Sequence, residues 1–401
     1  MVTTKTSGDS TTTRTVITVG VTSGTAITTV SGSVMDALLG KAREVGAVGS
    51  ADIIEIAVSP AGTVTGLSVT VPGTKLKTIA EDTEAALCIS SPRITVTFDN
   101  AALDVIAEEA GGAAVTLLAG AASPGTPLTE AEREKLADRP AYDLKVRAGG
   151  KTVSDFGDGN AAVSIPYILR PGENPDAVVV WYLDADGNLQ AVPNGHYQSE
   201  TGKVVFKTAH FRDFILGYNL IEFSDVSEDA WYEKAVTFIA ARGITAGTGE
   251  NTFSPDARLT RGQFLVLLLR AYGIAPDADP SDNFADAGDS WYTGYLSAAK
   301  RLGLSNGIGD NLFAPEREIS RQDMFTLLYR TLDLLSALPE AADGGGVADY
   351  GDAGKIADYA RDPMDALVKG GIVTGSSGTL DPLGTSTRAQ MAQVLYKLLS
   401  K

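Results

Sequence analysis

The sequence predicts a multidomain chain with a mainly β N-terminal half and an all-helical C-terminal half. Runs of β-branched and aromatic residues, bounded by Gly, Pro, Asn or Asp, continue to about residue 219. From Ile221 onward the apolar residues recur at helical spacing instead. A unit of about 60 residues then occurs three times, as expected for a supersecondary unit that cannot bury its apolar face alone. We expect β-rich domains at 1–91 and 92–220, and repeats at 221–276, 282–337 and 347–401.

The N-terminal half is expected to be β-sandwich-like, with short helices between its strands. Asp186 and Gly187 are typical of a tight hairpin turn. Residue composition predicts strands at 11–21, 53–58, 64–71, 94–98, 163–166, 178–183, 204–208 and 214–218. Apolar residues at helical spacing predict helices at 33–43, 73–80, 101–110 and 129–138, the last opening with a capping box.

A weaker duplication lies inside this half. The segment that begins at Leu67 aligns with the segment that begins at Ile94, and each reads as strand, short helix, strand. One interpretation is a tandem stalk, which is the role we predict for 1–91. The alternative is that short β-α-β stretches resemble one another through composition alone.

Composition excludes several classes of function. The net charge of −17 argues against binding to nucleic acid or to an anionic membrane surface. A single cysteine excludes an internal disulfide, and two histidines leave little for zinc chemistry, so no metal or other cofactor is predicted. No apolar run is long enough to span a membrane. The polar, Thr-rich start lacks the features of a secretory signal, so the protein is either cytosolic or a mature chain whose signal was removed.

The three repeats share a fixed order of motifs. Each opens with an aromatic-x-Asp step, continues with a Trp or Tyr, a Gly-rich turn and a Pro, and ends with a Ser/Thr-Arg pair before an apolar helix. The first copy is predicted to have helices at 231–242 and 261–272, the former ending at Gly243. The run 264–269 is apolar on nearly all sides, so this helix should be surrounded by others. The second helices could share a central core, or helix pairs could stack as a linear solenoid.

The Ser/Thr-Arg pairs predict an anion site. Thr260, Ser320 and Thr387 have the form of N-caps, which places Arg261, Arg321 and Arg388 in the first helical turn. The helix dipole disfavours a cation there, yet all three copies have one. Free backbone N–H groups beside a guanidinium suit a carboxylate ligand. The alternative is that each arginine pairs with the nearby Asp225, Asp286 or Asp352 and only holds the fold together.

Taken together, these residues resemble the surface-layer homology (SLH) domain, which usually occurs as three tandem copies. The resemblance covers about 221–401 and rests on the Phe-x-Asp-Val, Trp-Tyr, Gly-Ile-x-x-Gly, Phe-x-Pro and Leu-Thr-Arg-Gly-Gln motifs that begin at Phe223, Trp231, Gly243, Phe253 and Leu259. It implies one pseudo-threefold domain that anchors a protein non-covalently to anionic bacterial cell-wall polysaccharide, often one bearing a pyruvate ketal. It also implies an extracellular location at the cell wall, in the S-layer, with the β-rich half displayed outward.

The resemblance assigns polysaccharide-binding residues copy by copy. They are Asp225, Trp231, Gly247 and Arg261 in the first copy, Asp286, Trp291, Gly307 and Arg321 in the second, and Asp352, Tyr359 and Arg388 in the third. The third copy departs from the pattern, because Tyr359 replaces Trp, the Gly-rich turn is shorter, and Pro363 would interrupt a helix starting near Tyr359. We therefore expect that helix to begin near Asp362 and this copy to be structural. For the two tryptophans, core packing is the alternative to stacking on a sugar.

Two rival functions were weighed. The chain has no recognisable catalytic motif, and the Asp184-x-Asp186 segment fits a hairpin better than a calcium loop, so we predict that it is not an enzyme. Self-association is the stronger rival. The Thr-rich strand predicted at 11–21 could add to the sheet edge of a neighbouring molecule and build a surface layer or a filament.

Overall fold

The computed structural model describes residues 2–7, 10–46, 52–122, 136, 138–184, 186–339, 341 and 345–400. The chain forms two compact units, Met1–Asn219 and Leu220–Lys401. The predicted helix at 129–138 falls almost entirely outside the described residues. Within them, none of the helices combines the length and the apolar character needed to cross a lipid bilayer.

The first unit is mostly β-sheet, as predicted. Its strands in chain order are β1 Val2–Ser7, β2 Ser10–Val19, β3 Val21–Thr22, β4 Thr25–Thr29, β5 Asp52–Pro60, β6 Gly66–Val71, β7 Ala86–Ser90, β8 Thr95–Phe98, β9 Val115–Ala122, β10 Ala141–Ala148, β11 Lys151–Val153, β12 Ala161–Pro166, β13 Val178–Leu183, β14 Leu189–Ala191, β15 His196–Gln198, β16 Lys203–Thr208 and β17 Asp213–Tyr218. One sheet has the order β1-β2-β5-β7-β8-β12-β16-β15, and the other has the order β14-β13-β17-β10-β9-β6-β4-β3, with β11 paired to β10.

The predicted boundary between 1–91 and 92–220 is wrong. Strands from both sides of residue 91 are neighbours in both sheets, since β7 pairs with β8 and β6 pairs with β9. Buried residues from Val19 to Leu216 form one hydrophobic core. Splitting the chain at residue 91 would therefore expose strand edges and apolar surface on each half.

Three helices complete the first unit: α1 Gly32–Gly46, α2 Gly73–Asp82 and α3 Asn100–Ala110. The duplicated segments have the predicted order, because β6-α2-β7 and β8-α3-β9 are each strand, helix, strand, and α2 packs against α3. The predicted hairpin is also present: Leu183 pairs with Leu189, and Asp184 Oδ1 accepts hydrogen bonds from the backbone N–H groups of Asp186 and Asn188 at 3.0 and 2.8 Å. That carboxylate shapes the turn rather than a calcium loop.

The second unit is helical, with two α-helices in each repeat. They are α4 Glu233–Ala241, α5 Arg261–Ala271, α6 Thr293–Arg301, α7 Arg321–Leu334, α8 Asp358–Lys369 and α9 Arg388–Leu399, with short 3-10 helices at Val347–Asp349 and Ala353–Lys355. The left-handed stop predicted at Gly243 is confirmed by its φ of 68°. Thr260, Ser320 and Thr387 are N-caps, as predicted, since each side chain accepts a hydrogen bond from the N–H of the third helical residue.

The prediction for the third repeat's first helix is wrong. Helix α8 begins at Asp358 and contains Pro363 instead of starting near Asp362. The proline ring is buried in the core, and the N–H that it removes would have been bonded to the carbonyl of Tyr359, a residue that is half-exposed near the start of the helix. Water can therefore bond to the Tyr359 carbonyl in place of the missing N–H. Burial of the proline ring offsets the cost of the lost hydrogen bond.

Helix contacts in the second unit run in a closed cycle. The second helix of each repeat packs against the first helix of the next, so α5 contacts α6 and α7 contacts α8. Helix α9 of the last repeat then packs against α4 of the first. A linear solenoid has no contact between its two ends, so this cycle excludes the stacked alternative.

The apolar helix α5 is surrounded, as predicted. Phe264, Leu267 and Leu268 belong to one hydrophobic cluster of this unit, whereas Leu265, Val266 and Leu269 belong to a second cluster built with helix α6. A helix with two buried faces needs apolar residues all round, which accounts for the unbroken run at 264–269.

Three short extended segments, one before each second helix, meet at the centre of the cycle. The Ile319 N–H donates to the Leu259 carbonyl at 3.0 Å, and the Leu259 N–H donates to the Ser386 carbonyl at 3.2 Å. All three side chains are fully buried. Two are apolar, whereas the Ser386 hydroxyl has no hydrogen-bond partner in the described part of the chain.

We expect Ser386→Ala to stabilise the second unit by about 1 kcal/mol, because a buried hydroxyl without a partner opposes folding. Urea denaturation of the full chain, followed by far-UV circular dichroism, measures this change. The exposed Ser227→Ala is the control and should leave the free energy of unfolding unchanged. Lower stability in Ser386→Ala would mean that the hydroxyl has a partner after all.

Candidate functional site

The aspartates that open the repeats hold a loop within their own repeat. Asp225 accepts hydrogen bonds from the N–H groups of Phe253 and Ser254 at 2.8 and 2.7 Å. Asp286 binds Phe313 and Ala314, and Asp352 binds Leu380 and Asp381, in the same manner at 2.7 to 2.9 Å. The second residue of each pair has a positive φ, between 51° and 58°. The three carboxylates therefore fix a strained loop, and in the described chain none forms an ion pair with Arg261, Arg321 or Arg388.

These hydrogen bonds control the ionisation of two of the carboxyl groups. Desolvation opposes ionisation of the exposed Asp225 and the buried Asp352, but the paired backbone N–H groups outweigh it and hold the pKa of each below its usual range. Both side chains are therefore ionised at neutral pH, with their oxygens occupied by the loop.

The predicted glycines, Gly247 and Gly307, allow close packing at the Gly-rich turn of their own repeat. Gly247 and Gly307 have φ values of 88° and 76°, which other residues rarely adopt. A β-carbon at Gly247 would overlap the Thr252 carbonyl and the Phe223 ring, and one at Gly307 would overlap the Leu312 carbonyl and approach the Phe284 ring. Each glycine lets the opening aromatic side chain close over the turn.

The three arginines reach from one repeat into the next. Arg261 Nε donates to the Phe313 carbonyl at 2.8 Å, and Arg321 Nε donates to the Leu380 carbonyl at 2.8 Å. Arg388 Nε donates to the Phe253 carbonyl at 2.7 Å, which returns from the third repeat to the first. Each arginine thus contacts the loop that an aspartate of the following repeat holds. The arginines therefore help to hold the fold together, but they do so by bonding to the loop backbone and not by pairing with the aspartates.

The outer nitrogens of the three guanidinium groups differ in their partners. Arg261 Nη1 lies 3.0 Å from Asp323 Oδ2, and Arg388 Nη2 donates to the Thr245 hydroxyl at 3.3 Å. Arg321 makes neither contact: of the described residues, only the Leu380 carbonyl accepts a hydrogen bond from its guanidinium, which lies 5.2 Å from the Phe325 ring centre. Its outer nitrogens are therefore available to a ligand.

Arg321 lines a groove of about 460 Å³, which we call the Arg321 groove. All three repeats contribute to it. The first supplies Trp231 and Arg258, the second supplies Arg321 and Phe325, and the third supplies Thr374, Ser376, Thr379, Asp381, Gln390, Gln393, Val394 and Lys397. Three cationic side chains face one carboxylate there, so the groove is locally positive on an acidic protein.

A second groove, of about 380 Å³, surrounds Arg261 and is called the Arg261 groove. It likewise combines Arg261 of the first repeat, the turn 305–308 and helix α7 of the second, and Tyr359 of the third. The helix α7 residues on its wall are Asp323, Thr326, Leu327 and Arg330, at the same spacing as Gln390, Gln393, Val394 and Lys397 on helix α9. The two grooves are thus versions of one arrangement.

The residues assigned to a single copy are therefore not all brought together. Arg321 lies in one groove with Trp231 of the preceding repeat, whereas Gly307 lies in the other with Arg261. Trp231 and Trp291 are 63% and 57% exposed, so core packing does not account for either, but Trp291 lines neither of these grooves. The third copy supplies residues to both grooves, and the expectation that it is structural rather than binding stays a prediction.

Sequence reasoning missed the helix residues on the groove walls. Gln390, Gln393 and Lys397 recur at positions i, i+3 and i+7, which places them on one face of helix α9. Their polar side chains on an otherwise apolar helix were the available signal. Arg258 carried no such signal, because its partner is the Thr385 carbonyl, 127 residues along the chain and 2.7 Å from Arg258 Nη1.

Comparison with known proteins bears on the second unit. The sequence profile of the S-layer homology domain matches residues 222–265, 283–325 and 349–392. Relatives include an amylopullulanase of Thermoanaerobacterium thermosulfurigenes, 28% identical over 60% of this chain and 13% of the relative. The exoglucanase XynX of Acetivibrio thermocellus is 29% identical over 45% of this chain and 16% of the relative. The S-layer protein sap of Bacillus anthracis is 27% identical over 44% of this chain and 21% of the relative.

Each of these relatives is similar to this chain over one segment and not over its whole length. The chain spans about one fifth or less of the length of each of the three. Enzymes and S-layer proteins occur side by side among them, which is what a shared attachment module would produce.

We expect acid to destabilise the second unit. The pKa values of Asp225 and Asp352 are lowered on folding, so the stability they contribute is complete above about pH 4 and is lost as the pH falls through their folded values. Asp352→Asn should lower the free energy of unfolding at neutral pH by about 1–3 kcal/mol and flatten its decline in acid. Urea denaturation at a series of pH values measures both effects, with the exposed Asp256→Asn as control. An unchanged acid profile in Asp352→Asn would contradict the assignment.

Proposed function

Since this chain carries three S-layer homology domains, at 222–265, 283–325 and 349–392, we propose that its second unit anchors it to the bacterial cell wall. The ligand would be wall polysaccharide, and the protein would be located outside the cell with its first unit displayed away from the wall. The proposal includes no catalytic activity, and the prediction that the chain is not an enzyme stays a prediction.

The proposed binding site is the Arg321 groove, and the ligand is an acidic sugar such as one bearing a pyruvate ketal. The observation that carries this proposal is the Arg321 guanidinium, whose outer nitrogens form no hydrogen bond or ion pair in the described chain while those of its two counterparts do. A ketal carboxylate could accept two charge-assisted hydrogen bonds from it. Arg258 and Lys397 would add attraction for a polyanion, and the exposed Trp231 ring offers a surface for the apolar face of a pyranose.

The arrangement proposed for the three repeats is pseudo-threefold. Three sets of contacts support it, because each runs from first to second, second to third and third to first repeat. The first set is the helix pairs, and the second is the hydrogen bonds from arginine Nε to loop carbonyls. The third is the backbone hydrogen bonds from the N–H groups of Arg261, Arg321 and Arg388 to the carbonyls of Arg317, Gly384 and Ala257, respectively, at 2.8 to 3.0 Å. A groove at each junction would follow from such symmetry.

Self-assembly is a second candidate, and strand β1 is the observation that favours it. This strand lies at the edge of its sheet, and among described residues it pairs only with β2. Its residues from Thr3 to Ser7 are exposed. An edge strand with a free row of backbone groups can add to the sheet of a neighbouring molecule. Lattice formation and wall anchoring are compatible in one protein.

We expect Arg321→Gln to weaken binding to pyruvylated cell-wall polysaccharide about 10- to 100-fold, because a charge-assisted pair with the ligand is lost. Sedimentation of the full chain with purified wall material, before and after mild acid hydrolysis of the ketals, measures this. Arg261→Gln and Arg388→Gln are matched controls, since each also loses one Nε bond to a loop carbonyl.

The controls separate binding from folding. Equal losses in all three variants would indicate a structural role for the arginines, and undiminished binding by folded Arg321→Gln would reject the Arg321 groove. Trp231→Ala should also weaken binding, whereas Trp291→Ala, which has the same edge-to-face packing on its neighbouring tyrosine, should not.

If β1 drives assembly, electron microscopy of the purified protein should show ordered arrays without any polysaccharide. Thr3→Pro and Thr4→Pro are made as two separate variants. The N–H groups of neighbouring strand residues point in opposite directions, so one variant removes an N–H that faces β2 and the other removes an N–H on the free edge of β1. The variant that removes an outward N–H should abolish the arrays and leave β1 paired with β2. A wild-type protein that stays monomeric and still sediments with the wall would reject assembly and leave anchoring intact.

A further inference from the structure

The third residue of each second helix differs in one repeat. This residue is Gln263 in the first repeat and Gln390 in the third, and both complete a capping box. In the second repeat it is Asp323, which contributes its backbone N–H to the Ser320 cap but turns its carboxylate elsewhere. The Arg261 groove therefore contains the carboxylate of Asp323 at the position where the Arg321 groove contains the neutral Gln390.

Both oxygens of Asp323 are engaged inside the Arg261 groove. Oδ2 lies 3.0 Å from Arg261 Nη1, and Oδ1 accepts a hydrogen bond from the Tyr359 hydroxyl at 2.5 Å. The side chains of Arg261 and Asp323 are only 5% and 18% exposed. Arg317 Nη2 lies 3.8 Å from the same Oδ2. The carboxylate is thus held from the first and third repeats at once, in a setting where water screens the charges weakly.

Tyr359 is a suitable permanent donor to this carboxylate. Tyr359 is half-exposed, but its partial burial, followed by its hydrogen bond to Asp323, raises the pKa of its hydroxyl to about 12. Tyr359 therefore keeps its proton throughout the physiological range. The other two repeats have tryptophan at this position, so Asp323 and Tyr359 are both departures from the repeat pattern, and they contact each other through this hydrogen bond.

We infer that Asp323 is an internal substitute for the ligand carboxylate, so the Arg261 groove does not accept an acidic sugar. This inference rests on the function proposed for the Arg321 groove. An incoming carboxylate would have to displace Asp323 from Arg261 and would then lie beside its negative charge. Asp323 is accordingly a specificity-determining residue, and it leaves this protein with one acidic-sugar site among the two grooves described.

The test is calorimetric titration of the full chain with a methyl hexopyranoside that bears a 4,6-linked pyruvate ketal. Wild type is expected to bind one equivalent. Asp323→Gln copies Gln263 and Gln390, so it preserves the cap, and it should bind one equivalent more. Asp323→Gln combined with Arg261→Gln should lose the added equivalent, and Asp323→Gln combined with Arg321→Gln should retain it.

The inference and the proposed function can fail separately. If Asp323→Gln folds and gains no equivalent, the inference is overturned even when wild type binds through Arg321. A wild type that already fills the Arg261 groove overturns it as well. If wild type binds nothing while Asp323→Gln binds one equivalent, the inference stands and the function proposed for Arg321 falls.

Discussion

The helical unit depends on one contact made three times: a loop held by an aspartate from one side and by an arginine from the other. The aspartate comes from the loop's own repeat and satisfies two backbone N–H groups, while the arginine comes from the preceding repeat and donates to a carbonyl. The loop contains a residue with positive φ, which few side chains tolerate without such restraint. The same few polar groups therefore determine the shape of each loop, the contact between neighbouring repeats and the wall of each groove.

Under the proposed function, this dual use makes the motif residues unequal as candidates for contact with the ligand. An aspartate that accepts hydrogen bonds from two backbone N–H groups is committed to holding the loop, and the glycines are needed for close packing. The arginine is different, because its Nε serves the fold and its outer nitrogens remain for another partner. Small changes around those nitrogens, a glutamine to an aspartate or a tryptophan to a tyrosine, then decide what each groove can bind.

Local patterns predicted what depends on local interactions. The N-caps at Thr260, Ser320 and Thr387, the stop at Gly243 and the hairpin at Asp186 all involve residues within a few positions of each other, so spacing reveals them. The arginine contacts could not be assigned copy by copy, because the decisive partners are remote, with Arg261 and Phe313 separated by 52 residues and Arg388 and Phe253 by 135. The boundary at residue 91 failed for the same reason, since strand pairing between β6 and β9 leaves no local signature.

The return contact from Arg388 to Phe253 also has a thermodynamic consequence. It joins residues 135 positions apart, and such closure is entropically costly until every intervening element is in place. Both described grooves draw walls from all three repeats, so neither exists in a chain that has folded only two of them. Under the proposed function, occupancy of a single groove would be linked by mass action to the integrity of the whole ring, and the bound polymer would stabilise the repeats that hold it.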